Sequence, residues 1–215
     1  MTTPELVERV EAAIQTADAG KHTLPNSVLK IRGHGSAKVS TFLNTLCGSI
    51  TDCRYLEFGT FTGRSLVAAA YGNLGSYTGV DKLQWLGSTI RFPDTASLKQ
   101  YLSDNLKMLH APDLPNPTPP YAVLEMDTAY YKPEGNYDVF FYDADHSYQP
   151  TYDGIKLLMP HLKPGVVIVD DYETHRKSPE IVKAVHDVMP WPTEHSWNLR
   201  SKQGWHTGIF VAVIE

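Results

Sequence analysis

Short apolar runs alternate with longer amphipathic segments along most of this chain. The apolar runs are rich in β-branched and aromatic residues, which is typical of strands buried in a sheet. Because strands that alternate with helices form parallel sheets, the pattern predicts an α/β fold. The predicted strands are residues 55–58, 77–80, 121–125, 137–142 and 166–169.

The amphipathic segments predict helices, and the last two apolar runs predict a β-hairpin. A hydroxyl followed by proline, Thr3-Pro4, opens the first helix, as expected for a helix N-terminus. Residues 195–199 and 207–214 predict a terminal hairpin that turns at 201–204. The fold prediction is therefore α/β, with a doubly wound, mostly parallel sheet and a C-terminal antiparallel hairpin. The other predicted helices are residues 36–47, 64–71, 97–109, a segment between the last two parallel strands, and 178–188.

Composition restricts the class of protein. The 215 residues suit a single domain, in which we expect residues 1–50 to form a helical cap across the crevice mouth and 51–215 the α/β core. A net charge of -5 without a Lys/Arg cluster argues against a nucleic-acid surface. No apolar stretch is long enough to span a membrane, and Cys47 and Cys53 form no metal-binding or disulfide pattern. We expect a cytoplasmic protein.

Carboxylates follow two of the predicted strands directly. Asp143 and Asp145 precede His146 after one strand, and Asp170 and Asp171 follow the next. The carboxyl ends of parallel strands meet at the ligand crevice, so these side chains should lie together. Carboxylates at close range repel one another unless a cation neutralises them, and hard oxygen ligands favour Mg²⁺ or a similar ion. The sequence therefore predicts a metal site at this rim.

A glycine-containing turn links the first strand of the core to its helix. Gly59 permits a sharp turn, and Gly63 permits close approach of a ligand or of the helix. Asp81 lies 22 residues beyond Gly59, at the offset where an acid binds a ribose diol in nucleotide-binding units. NAD is the rival ligand, but its fingerprint has three glycines where this turn has two. No Gly-Lys-Ser/Thr follows, which excludes a P-loop.

Together, the turn from Glu57 to Gly63, Asp81 and the two acidic strand ends resemble the class I S-adenosylmethionine-dependent methyltransferases. The acidic segments are similar to those of metal-dependent small-molecule O-methyltransferases of the macrolide-sugar and aminocoumarin-sugar type. The resemblance implies a Rossmann-like doubly wound sheet, S-adenosylmethionine and Mg²⁺ as cofactors, a small hydroxylated substrate and often a homo-oligomer. It implies Asp143, Asp170 and Asp171 as metal ligands. It also implies these cofactor contacts: Glu57, Gly59, Thr60, Gly63 and Ser65 at the methionine end, Asp81 at the ribose, Asp127 near the adenine, and Asp143.

Methyl transfer to a hydroxyl requires a base, and two candidates stay open. His146 has an ordinary pKa of about 6.5, suited to accepting a proton near neutral pH. Asp145 is the competing candidate for the base. As an alternative, Asp145 could orient His146 or bind a metal-bound water. The remaining histidines, His206 among them, have no acidic setting in the sequence, while the turn at His34 is either a lid or an ordinary turn. Trp85, Arg91 and Phe92 occupy the loop after Asp81, where similar enzymes contact substrate.

Two other function classes remain compatible with these residues. A metal-dependent hydrolase or nucleotidyl-type enzyme could use the same acidic cluster, but it would need phosphate-binding Lys or Arg at a spacing that the chain does not show. A catalytically silent cofactor-binding module is the third class. The complete set of acids together with His146 counts against it.

Overall fold

A seven-stranded sheet forms the centre of the structure, which is a computed structural model describing residues 1–84, 90, 92–173, 178–189 and 195–215. The strand order is β3-β2-β1-β4-β5-β7-β6, numbered along the chain. Each predicted apolar run forms a strand, and the fold prediction is confirmed. The strands are β1 (Cys53–Phe58), β2 (Gly75–Asp81), β3 (Tyr121–Glu125), β4 (Val139–Tyr142), β5 (Gly165–Val169), β6 (Ser196–Leu199) and β7 (Ile209–Ile214).

The first five strands are parallel, β7 runs antiparallel to β5, and β6 runs antiparallel to β7. The order reverses between β1 and β4, where the final residues Phe58 and Tyr142 are register partners. Such a reversal opens a crevice beyond the carboxyl ends of the strands. In the antiparallel pair, Val169 at the end of β5 faces Phe210 near the start of β7. The segment entering β7 therefore reaches the same rim as the strand ends.

Helices cover both faces of the sheet and account for most of the predicted amphipathic segments. The helix predicted over residues 97–109 ends earlier, at Leu106, because a 3₁₀ turn follows at Lys107–His110. A second 3₁₀ turn, Met159–His161, follows the helix between β4 and β5. Residues 26–29, expected as loop, form one short helix. The helices are α1 (Thr3–Asp18), α2 (Asn26–Leu29), α3 (Ala37–Ser49), α4 (Arg64–Ala70), α5 (Thr95–Leu106), α6 (Tyr148–Leu158) and α7 (Ser178–Val188), with further 3₁₀ turns at Thr128–Tyr130 and Ser201–Gln203.

The first and third helices pack on a face of the sheet, so the expectation that this region lies across the crevice mouth is wrong for them. Leu6 and Val10 of α1 share one buried cluster with Phe141 and Ile168 of the central strands. The apolar face of α1, which contains Leu6 and Val10, loses more contact with water on the sheet than it would across the open mouth of the crevice. Residues alternating with these along β4 and β5 face the opposite cluster, which contains α6 and α7.

Both cysteines, Cys47 and Cys53, are buried. No helix in the described ranges combines the length and apolar composition that crossing a membrane requires.

Candidate active site

The turn after β1 is built against the end of β4. Gly59 has a φ of +95°, and a Cβ added there would lie 1.9 Å from the backbone carbonyl oxygen of Asp143. Gly63 adopts a φ of +79° immediately before α4, where an added Cβ would lie 2.6 Å from Leu102 Cδ1. Side chains are disfavoured at such φ values and would also clash here. Gly59 lets the turn contact Asp143 at the point where the strand order reverses, and Gly63 lets the start of α4 approach Leu102 of α5.

Asp81 holds this turn from the neighbouring strand. Its Oδ2 accepts a hydrogen bond from the backbone N–H of Phe61 (2.8 Å), and its Oδ1 accepts one from Leu83 (2.6 Å). The acid predicted to bind ribose therefore lies at the carboxyl end of β2, beside the glycine turn. It also positions the turn, a role that the sequence did not reveal.

Asp127 lies at the end of the next strand, β3. Its Oδ1 accepts from the backbone N–H of Ala129 (3.0 Å), and its Oδ2 is 2.9 Å from Lys82 Nζ. These two interactions lower the pKa of Asp127 below its ordinary value, the backbone hydrogen bond contributing most. The backbone N–H of Met126 donates to the carbonyl of Asp81 (2.9 Å), so the two predicted cofactor acids occupy adjacent strand ends.

Glu57 lies fully inside the protein, beneath the glycine turn. Its Oε2 accepts a hydrogen bond from the Tyr55 hydroxyl at 2.7 Å. Burial raises the pKa of Glu57 to about 7, although the hydroxyls of Tyr55, Ser65 and Thr60 act to lower it. Thr60 is also buried, while Ser65 occupies the first turn of α4. The predicted methionine-end residues are therefore grouped, with a carboxyl group whose charge is disfavoured at their centre.

Acidic and imidazole groups converge at the rim beyond β4 and β5. His146 Nε2 lies 3.0 Å from Asp171 Oδ2 and 3.6 Å from Asp143 Oδ1. Burial alone would lower the pKa of His146, but hydrogen bonding and charge interaction with the two carboxylates outweigh burial and raise it to about 10. The predicted base is thus brought to two of the predicted metal ligands.

A second group shares Asp171. Potential ligand atoms of Asp170, Asp171 and His206 all lie within 4.8 Å of one another. His206 has no acidic setting in the sequence, yet the structure places it beside Asp170 and Asp171, because the antiparallel pairing of β7 with β5 carries the residues before β7 back to the end of β5. The predicted hairpin contained this signal, since the start of a strand paired antiparallel must lie beside its neighbour's end.

The predicted metal ligands are therefore divided between two overlapping groups, one containing Asp143 and the other Asp170. Burial raises the pKa of Asp143, and burial with the charges of Asp143 and Asp171 raises that of Asp170 well above its ordinary value. Within the described residues, Asp170 Oδ1 is buried and has no hydrogen-bond partner. Carboxylate and imidazole donors with an unsatisfied buried oxygen fit a divalent cation.

Asp145 occupies a different position from the other acids. It is exposed, and its Oδ1 accepts a hydrogen bond from the backbone N–H of Ser147 at 2.8 Å. That hydrogen bond forms a local turn before α6. Of the two candidate bases, His146 is the one in contact with Asp143 and Asp171.

The turn at His34 lies over this region. The His34 ring centroid is 5.9 Å from that of Phe61 and 6.4 Å from that of His206. Arg64 holds the segment before it by donating to the carbonyls of Leu29 and Ile31, both at 3.0 Å.

The loop after Asp81 is only partly described. Phe92, predicted near the substrate, has its ring centroid 6.0 Å from that of Phe61. Trp85 and Arg91, predicted for the same loop, lie outside the described residues.

Known proteins resemble this chain in both sequence and structure. A protein of Acanthamoeba polyphaga mimivirus, uncharacterized protein R132, is 26% identical over 151 residues, which are 64% of this chain and 60% of that protein. The chain thus spans less than two thirds of that relative's length. Cofactor-bound Rv0187 from MTB superposes with a TM-score of 0.59 at 21% identity, covering 96% of this chain and 89% of that one.

Two O-methyltransferases share the same architecture. TomG from Streptomyces achromogenes, solved with SAM, has a TM-score of 0.52 at 20% identity and covers 96% of this chain and 89% of its own. An O-methyltransferase from Bacillus cereus, solved with SAH, has a TM-score of 0.52 at 18% identity, covering 97% and 91%. At sequence identities this low, the structural likeness establishes the fold alone.

A methyltransferase domain family matches residues 56–172. With that match across more than half its length, the chain belongs to the methyltransferase domain family and has the class I fold.

Proposed function

We propose that this protein transfers a methyl group from S-adenosylmethionine to a hydroxyl of a small molecule with the help of a divalent cation, Mg²⁺ or a similar ion. One observation carries the proposal. The glycine turn with Asp81 and the groups around Asp171 share a single rim, where the turn touches Asp143 through Gly59. A cofactor cradle and a cation-binding cluster in contact are the parts that such a transfer needs.

The cofactor would be held by the turn and by the neighbouring strand ends. Solved proteins of this fold include ones with SAM or SAH bound, TomG and the Bacillus cereus enzyme among them. Asp81 is fixed by two backbone N–H groups yet only half-buried, which suits a carboxylate that also accepts from a ribose diol. The methionine end would rest against Gly59, Thr60, Gly63 and Ser65 above Glu57, and the adenine near Asp127.

Asp143, Asp170 and Asp171 would hold the cation. A bound divalent cation supplies electrostatic polarisation of a substrate hydroxyl, which lowers the hydroxyl pKa. Asp171 belongs to both ligand groups, and Thr207 Oγ1 donates a hydrogen bond to its Oδ1. Such a hydrogen bond fixes the orientation of a ligand carboxylate.

His146 would accept the proton that the hydroxyl loses. The receiving atom is Nε2. Without a cation, Asp143 and Asp171 raise the pKa of His146 to about 10, so its ring is protonated near neutral pH. A cation held by these two carboxylates would offset their charges and lower that pKa, which leaves a neutral imidazole to accept the proton. Asp145 is the alternative base. Its hydrogen bond from Ser147 and its exposure favour a structural role in the turn.

The base assignment is tested by turnover of two variants. His146→Ala should lower kcat by about 10²–10⁴-fold, the usual contribution of a general base, and leave SAH affinity nearly unchanged. Asp145→Asn should retain most of the activity. If the Asp145 variant is the crippled one, the base is Asp145.

The function itself is tested by calorimetry and by an acceptor screen. SAH should bind the wild type, and Asp81→Asn should weaken binding by about 1–3 kcal/mol, with the exposed Asp104→Asn as the control. Coproduct release on hydroxylated small molecules then identifies the acceptor. SAH binding without turnover on any hydroxyl would favour the silent cofactor-binding module.

The cytoplasmic location, the homo-oligomer and the division into cap and core stay predictions from the sequence.

A further inference from the structure

His206 reaches the acidic rim from the C-terminal hairpin. The backbone N–H of Tyr172 donates to the carbonyl of Gly208 (2.9 Å), and that of Glu173 donates to Thr207 (3.1 Å). These hydrogen bonds extend the β5–β7 pairing to the segment just after Asp171. The backbone therefore fixes His206 next to Asp170 and Asp171, independently of any side-chain contact.

The same group contains a buried oxygen that calls for a partner. Asp170 is only 2% exposed, and its Oδ1 has no hydrogen-bond partner among the described residues. An unpaired buried carboxylate oxygen carries a large desolvation cost. One ligand atom each of Asp170, Asp171 and His206 lies within 4.8 Å of the others, so one cation between them would neutralise this buried carboxylate.

Asp171 is held rigidly for such a role. Its carbonyl accepts from Ser178 Oγ (2.7 Å), and Thr207 Oγ1 donates to its Oδ1. Asp171 and His206 have φ values of 55° and 53°, in the left-handed region that few residues other than glycine adopt. Two residues of the same ligand group, Asp171 and His206, thus both hold an unfavourable backbone conformation.

We propose that His206 is a direct ligand of the divalent cation, and that it makes the site prefer first-row transition-metal ions over Mg²⁺. Mg²⁺ binds almost entirely to oxygen, whereas imidazole suits ions such as Co²⁺, Fe²⁺ and Zn²⁺. The inference rests on the metal dependence in the proposed function and specifies the ion that the same site takes. His206 then determines metal specificity.

The experiment compares Co²⁺ and Mg²⁺ binding to the full chain by calorimetry. His206→Asn is the informative variant, because asparagine tolerates a positive φ and offers an amide oxygen in place of the imidazole. It should weaken Co²⁺ binding by about 10–100-fold, the range seen when metal sites lose a supporting group, and change Mg²⁺ binding by less than about threefold. His195→Asn is the matched control, since His195 lies at the far end of the same hairpin.

Direct ligation has its own readout. Proton NMR of the Co²⁺-loaded wild type should show a strongly shifted imidazole N–H signal that disappears in His206→Asn and persists in His195→Asn. Equal Co²⁺ affinity in the His206 variant, or an unchanged set of shifted signals, overturns the inference and leaves the methyltransferase proposal standing. Failure of the wild type to bind Co²⁺ while Mg²⁺ binds overturns the inference alone, and failure to bind either ion overturns the metal dependence as well. SAH binding measured on the same samples reports the cofactor site separately.

Discussion

At the scale of single residues, Gly59 shows how backbone packing constrains the cofactor turn. Gly59→Ala would place a Cβ 1.9 Å from the Asp143 carbonyl, whereas Gly20, also at a positive φ, has no atom within 4 Å of such a Cβ. Gly20→Ala should therefore cost only the left-handed penalty of about 1–2 kcal/mol. Gly59→Ala should cost at least about 2 kcal/mol more, because β1 and β4 must separate. Urea unfolding of both variants measures the difference, and equal losses would show that the contact is unimportant.

Glu57 gives the protein a pH-dependent stability. Burial raises its pKa from an ordinary value of 4.5 to about 7, so the folded state binds the proton more tightly than the unfolded state. This stabilisation is complete below pH 4.5 and is lost as the pH rises through about 7, amounting to about 3 kcal/mol. Glu57→Gln should match the wild type near pH 5 and exceed its stability by up to that amount at pH 8.

The measurement is urea unfolding of wild type and variant across that pH range. Glu134→Gln is the control, since Glu134 is exposed. A stability difference between wild type and Glu57→Gln that does not change with pH would show that Glu57 is already ionised in the folded protein.

At the scale of elements, Arg64 connects the helix after the glycine turn to the N-terminal segment. Its two hydrogen bonds, to Leu29 and Ile31, use the fork of one guanidinium, which lysine cannot reproduce. Arg64→Lys should speed amide exchange at Leu29, Lys30 and Ile31 by roughly tenfold, equivalent to losing about 1.5 kcal/mol of local stability. Hydrogen exchange measured by NMR, with exposed Arg200→Lys as control, tests this. Unchanged exchange would mean that other contacts hold the segment.

Elements were predictable from the sequence where local pattern determines them. The buried runs ending at Phe58, Tyr142 and Val169 form strands as expected, because apolar β-branched and aromatic residues fit a covered sheet. The packing of α1 on the sheet face was missed, since amphipathicity indicates that a helix is buried without indicating against what. His206 was missed because the pairing of β5 with β7 brings it beside Asp170 and Asp171, which lie about 35 residues earlier in the chain.

At the scale of the whole molecule, one rim collects side chains from nearly the full length of the core. Parallel pairing aligns the ends of five strands, and antiparallel pairing adds the start of a sixth. Most of the polar groups lie in the loops after the strand ends, whereas Asp81 is the last residue of β2 and Glu57 lies within β1. In chain order the groups are Gly59, Asp81, Asp127, Asp143, Asp170, Asp171 and His206.

This shared rim makes the response of the whole fold to its ligands testable. A ligand that binds only the folded state stabilises it by about 2.7 kcal/mol at a hundredfold excess over Kd, which is roughly 5–10 °C in Tm for a chain of this size. SAH and a divalent cation should each raise the Tm, because each binds only the folded state, and Asp143 is the one residue that the sequence predictions assign to both. Asp170→Asn should abolish the cation response and retain the SAH response.

Without added ligand, Asp170→Asn should be more stable than the wild type at pH 8. Burial and the charges of Asp143 and Asp171 raise the pKa of Asp170, so ionising it in the folded state costs stability as the pH rises, and asparagine carries no charge. Asp113→Asn, at an exposed position in the proline-rich connector, should change none of these values. Thermal melts with EDTA, Mg²⁺, Co²⁺ and SAH measure the cation response, the SAH response and the stability at pH 8. A cation response that survives in Asp170→Asn would exclude Asp170 as a ligand, and a less stable variant at pH 8 would mean that its carboxylate is stabilised by something other than a bound cation.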